Sequence, residues 1–152
     1  MPFDLDNLNP STRFYWTAGD PEELVNKPDA EYVEMRLCPD DMTDEIRKQV
    51  GITRKVEYHR DRGRINRIEY LDSSDGKVRK FAEAVNDFCI TGWRLLTRTG
   101  DEIPCTTENK IKMLLGSPAF SEWYADKMEE LRKIAQNKDR EIKENLSNTQ
   151  GD

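Results

Sequence analysis

Four carboxylates, Asp40, Asp41, Asp44 and Glu45, lie within six residues of one another, a density that could serve general acid/base chemistry. Their setting argues for a plainer role. Pro39 precedes them, and the segment Met42 to Val50 reads as a short helix stopped by Gly51. Acidic residues in a first helical turn complement the positive end of the helix dipole, so the group is expected to start a helix. His59 is the only histidine and has no nucleophile beside it in sequence. The three cysteines, Cys38, Cys89 and Cys105, are too far apart to make a zinc set with it. No Gly-rich phosphate loop, Gly-x-Ser-x-Gly elbow or His-Glu-x-x-His motif occurs. The expectation is a protein that is not an enzyme and uses no cofactor and no metal.

The remaining chemistry is electrostatic. Residues 1–51 carry five basic against twelve acidic side chains, residues 52–67 six against two, and residues 68–152 thirteen against sixteen. Arg54, Lys55, Arg60, Arg62, Arg64 and Arg67 thus form a basic island in a chain of net charge −6, interleaved with Tyr58 and His59. Guanidinium groups could meet phosphates there, with Tyr58 free to stack on a base. Nucleic-acid binding is therefore the alternative function. The isoelectric point of about 5.0 and the lack of any named nucleic-acid motif count against it. The plain reading of the island is a solvated hairpin tip that pairs with the chain's acidic first third.

The elements that must position these groups follow from pattern and composition. With 152 residues, 36% apolar and 36% charged, and a mean hydropathy of −0.89, the chain is expected to be a single domain with part of its length outside any core. Residues 1–10 read as a loose acidic leader, and about 136–152 as a mobile polar tail. An odd cysteine count fits reduced thiols, and no apolar run approaches a membrane span. A soluble cytoplasmic protein is expected. Cys89 falls on an apolar helix face and reads as a small buried hydrophobe.

Arg13 to Thr17 is aromatic and strand-like, and Val33, Met35 and Leu37 alternate along Tyr32 to Leu37. These two segments are predicted to pair antiparallel across a polar linker, Ala18 to Ala30. Val56 and Tyr58 before Asp61-Arg62-Gly63, with Ile68 and Tyr70 after it, predict a β-hairpin, favoured over a helix that only Gly63 would break. The cluster Asp72 to Gly76 opens a helix with Val78, Phe81, Ala82, Val85, Phe88 and Cys89 on one face. Arg94 to Ile103 reads as a connector or short ribbon. Asn109 to Gly116 is then predicted to be a short helix burying Ile111, Leu114 and Leu115, and from Pro118 a long helix presents Phe120, Trp123, Tyr124, Met128, Leu131, Ile134 and Ala135. Ile142 and Leu146 continue that stripe. The class is α+β, a small antiparallel β portion in residues 12–71 followed by a helical C-terminal half.

One stretch carries more than its elements. From Val85 to Trp123 the order is a helix end, Ile90 and Trp93, a Gly100-Asp101 turn, Ile103-Pro104-Cys105-Thr106, Glu108-Asn109, Leu114-Leu115, then Ser117-Pro118-Ala119-Phe120. This order resembles the C-terminal half of the tail assembly chaperones of long-tailed bacteriophages and their prophage remnants. Ordinary capping explains the pieces singly: Thr106 or Thr107 and Ser117-Pro118 suit helix starts, with Glu108 at a positive helix end. The resemblance implies a binding protein that keeps the tape measure protein soluble while tail tube subunits assemble, in the cytoplasm of a bacterial host. Self-association is a further expectation. The partner-binding residues that follow are Trp93, Phe120, Trp123, Tyr124, Met128 and Leu131; the plain reading of each is ordinary core.

Overall fold

The computed structural model of the chain describes residues 8–72 and 75–150. The fold is α+β, with small antiparallel sheets in the N-terminal half and helices in the C-terminal half. The chain divides into two compact units, one made of the segments up to Leu37 and from Cys89 onward, the other of Cys38–Phe88.

The first unit is built on a three-stranded antiparallel sheet. Strands β1 (Thr12–Tyr15) and β2 (Tyr32–Met35) pair as expected, with Phe14 opposite Val33 and Tyr15 opposite Tyr32. Their linker is not wholly irregular, because a single-turn helix, α1 (Pro21–Leu24), forms within it. Asp20 accepts from the Glu22 N–H, Pro21 needs no donor at the first position, and Leu24 is buried. The third strand, β5 (Ile90–Arg94), pairs with β2, setting Trp93 opposite Val33. Trp93 therefore lies in the sheet itself, where the sequence reading had only a segment following a helix. Alternation along β2 puts Val33 and Met35 in the core.

Two helices close this unit. In α4 (Thr107–Gly116), Thr106 caps the start by accepting from the Asn109 N–H at 3.2 Å. Leu114 is half-buried, but Leu115 is 66% exposed. The expectation that this helix buries both leucines is therefore wrong for Leu115. Adjacent residues on a helix point about 100° apart, and Lys110 takes an inward position on this one. Next comes α5 (Pro118–Gln150), capped by the Ser117 hydroxyl, which accepts from the Phe120 N–H. It buries Phe120, Tyr124, Met128 and Leu131 at spacings of three and four. From Gln136 to Leu146 every residue is exposed, and the backbone stays helical through Gln150, so the polar C-terminal segment is mostly helix.

The second unit holds α2 (Asp40–Val50), β3 (Thr53–Asp61), β4 (Arg64–Asp72) and nearly all of α3 (Asp75–Cys89). Asp40 and Asp41 sit in the first turn of α2 with Arg47 and Lys48 in its last, the dipole-complementing arrangement. Strands β3 and β4 form the predicted hairpin in register from Thr53 opposite Asp72 to Asp61 opposite Arg64. The connection is Arg62-Gly63, with φ of 52° and 79°. Positive φ at both central residues marks the tight hairpin turn whose twist matches that of its strands. Val78 on α3 is exposed, whereas Cys89 at its end is buried as expected. Ser73 and Ser74, part of the cluster expected to open this helix, lie outside the described residues.

Candidate partner-binding surfaces

In the first unit the motif residues converge on one another. The Trp93 indole donates to the Ile103 carbonyl at 2.8 Å, fastening the sheet to the segment before α4. Gly100, at φ 86°, allows that segment to fold back: its N–H reaches the Thr97 carbonyl, and the Ile103 N–H reaches Leu95. The Asn109 side chain donates to the Pro104 carbonyl at 2.9 Å, and Ile90 is buried. Phe120 then meets Trp93 edge-on, with ring centroids 6.4 Å apart, and packs against Trp123 at 5.9 Å and Trp16 at 5.8 Å. Most of the recognised pattern therefore has an architectural role. Its sequence order reflects one folded unit: a strand, a fold-back, a capped helix and a second capped helix.

This arrangement sorts the six predicted partner-binding residues. Phe120, Tyr124, Met128 and Leu131 are brought together, but inside the core. Trp93 and Trp123 are half-buried around Phe120. Apolar surface lies elsewhere in the unit, at Trp16 and Leu115 and along α5 at Ile134, Ile142 and Leu146. The last three recur at intervals of eight and four, which keeps them on one slowly drifting stripe of the helix. Sequence periodicity had reached Ile142 and Leu146; no local signal separates them from the buried residues earlier on the stripe. Beside β1 a groove of about 470 Å³ is lined by Arg13, Tyr15, Trp16, Gly19, Lys127 and Glu130. There Arg13 donates to Glu34 at 2.8 Å and stacks over Tyr32, and its hydrogen bonds to Glu34 and Tyr15 raise its already high pKa. It is a fixed cation.

The second unit presents the basic hairpin. Every described side chain of β3 and β4 is exposed. The register deals its residues onto two chemically different faces, because directly opposed residues share a face. One face carries Arg54, Val56, Tyr58 and Arg60 from β3 against Leu71, Glu69, Arg67 and Ile65 from β4. On the other, Lys55, Glu57, His59 and Asp61 oppose Tyr70, Ile68, Asn66 and Arg64. Glu57 organises that second face by accepting from Tyr70 at 2.7 Å and meeting His59 at 3.1 Å. These contacts, Tyr70 first, hold its carboxyl below the usual carboxylate value. The six basic residues singled out in sequence are thus divided. Arg54, Arg60 and Arg67 share a face, Lys55 and Arg64 are on the other, and Arg62 is in the turn.

Among the described residues, no group of three or more His, Cys, Asp or Glu is placed to hold a metal ion. No described helix is long and apolar enough to cross a membrane. Comparison with protein-family models, curated proteins and solved structures yields no match for this chain.

Proposed function

We propose that the protein is a tail assembly chaperone of a long-tailed phage or prophage, acting in the bacterial cytoplasm on the tape measure protein as tail tube subunits assemble. The motif order of residues 85–123 suggests the family. The observation that carries the binding role is the exposed apolar stripe Ile134, Ile142 and Leu146 on α5. Fifteen residues past Ala135 extend a helix by about 22 Å. A helix exposed on all sides gains little from packing on its own core, so a stripe of large aliphatic side chains there suits pairing with another amphipathic helix. A helical client fits such a surface.

The test is co-expression with a tape measure protein of a long-tailed phage. The intact chain should keep the client soluble and co-purify with it. Truncation after Ala135, or Ile142→Glu combined with Leu146→Glu, should abolish both, while the melting temperature of the chaperone itself changes by only a few degrees. Client retention by the truncated chain would sink the proposal.

A further inference from the structure

The two faces of the β3–β4 ribbon differ in a way that the proposed chaperone role does not use. On the face shared by Arg54, Tyr58, Arg60 and Arg67, the only carboxylate is Glu69, which is paired with Arg67 at 2.7 Å. Arg54 and Arg60 have no ion-pair partner among the described residues. Six residues of strand separate them, about 20 Å, and Tyr58 stands between them at 68% exposure, opposite Arg67. The other face cancels its own charge, with Lys55 and Arg64 against Glu57 and Asp61. Uncancelled positive charge is therefore segregated onto the side of the ribbon that carries Tyr58, and both strands are solvent-accessible.

We propose that this face binds single-stranded nucleic acid. Arg54, Arg60 and Arg67 would contact phosphates along one strand, and an unpaired base would stack on Tyr58. Three features select this ligand over an acidic protein surface. The cations are all arginines, whose planar fork matches phosphate oxygens in pairs. The aromatic ring lies among them at mid-face, which an acidic peptide does not require but a base plane does. The arginines are also spread along the strand direction, with Arg67 opposite Tyr58 and so between the levels of Arg54 and Arg60, as contacts to a backbone would be. A single strand is favoured over a duplex because only unstacked bases offer a face to Tyr58.

The experiment uses the full chain with a fluorescently labelled oligothymidylate and a duplex of equal length, titrated by anisotropy at 50 and 200 mM salt. Three phosphate contacts on a single strand imply a log–log salt slope near −2, so affinity should fall roughly 15-fold between the two salts. The single strand should bind at least tenfold tighter than the duplex. Arg54→Gln with Arg60→Gln should weaken binding more than tenfold, and Tyr58→Ala roughly five- to a hundredfold. Lys55→Gln with Arg64→Gln, on the opposite face, should change it less than about threefold. The charge-removing changes are at exposed positions, and unchanged circular dichroism would show that the fold is intact. Equal losses from both faces, a duplex bound as tightly as the strand, or no binding at 50 mM salt would overturn the proposal. The last result, combined with self-association that the Arg54/Arg60 variant abolishes, would instead assign the face to acidic protein surface.

Discussion

The two units of this chain use apolar residues in opposite ways. In the first, Val33 and Met35 alternate with polar neighbours and are fully buried, and Val33 lies opposite Trp93, whose ring meets Phe120. In the second, Val56 and Tyr58 also alternate, as do Ile68 and Tyr70, yet none of the four is buried. The register explains this. Val56 lies opposite Glu69 and Tyr58 opposite Arg67, so the apolar pair of one strand shares its face with charged residues of the other. A shift of one residue would have gathered all four on one side. The two-residue turn prevents it. Period-two alternation therefore predicts a strand, but turn length decides whether the two strands make one apolar face or two mixed ones.

The largest effect that would break the comparison is in the first core. Phe120 is 1% exposed and its ring meets three tryptophans, so Phe120→Ala should destabilise the protein by about 3–5 kcal/mol in denaturant melts. The matching ribbon change, Tyr58→Ala, should cost less than about 0.5 kcal/mol because the ring is already in water. Comparable losses would mean that the ribbon is packed against something and that its exposure is not a property of the chain in solution.

A smaller effect tests the turn. Gly63 has φ 79° and no neighbour within 4 Å of the position a Cβ would take, so Gly63→Ala meets backbone strain alone. Left-handed backbone costs an alanine about 1–2 kcal/mol. The loss should appear as faster amide exchange in β3 and β4, leaving β1, β2 and β5 unchanged. Arg62, at φ 52°, already carries a milder version of this strain, and Arg62→Asn should slow the same exchange. Exchange changes spread evenly over both sheets would show that the units do not open separately.

What was legible in the sequence was whatever short-range chemistry specifies. The caps at Thr106 and Ser117, the hairpin around Gly63, the β1–β2 pair and the long C-terminal helix are all set by residues a few positions apart. The entry of Ile90–Arg94 into the sheet was missed, because its partner strand lies nearly sixty residues earlier and Gly92 interrupts any alternation. The single turn at Pro21 was legible and overlooked: Asp20-Pro21-Glu22-Glu23 is a helix start by composition alone. For the candidate site, residue types were legible and placement was not. The stripe on α5 is continuous in sequence, and only tertiary packing shows that it is buried through Leu131 and exposed at Ile134 and beyond. Likewise the basic island was evident, but its division into a charged face and a neutralised one depends on a register fixed by two dihedral angles.

The smallest expected effect concerns acid. Glu57 is held below its ordinary value of 4.5 by the Tyr70 hydroxyl and by His59, so its ionised form stabilises the ribbon. A group depressed in the folded state contributes fully above its unfolded value and loses that contribution as pH falls through the lower folded one. Amide exchange in β3 and β4, corrected for its intrinsic pH dependence, should therefore accelerate below pH 4.5, while Glu57→Gln shows no such step. The effect is small because the carboxylate is in open solvent, and added salt should weaken the His59 part while leaving the Tyr70 hydrogen bond. An identical acid step in Glu57→Gln would assign the transition to other carboxylates. A step of equal size in β1 and β2 would remove the distinction between a ribbon tuned by its own side chains and a sheet held by its core.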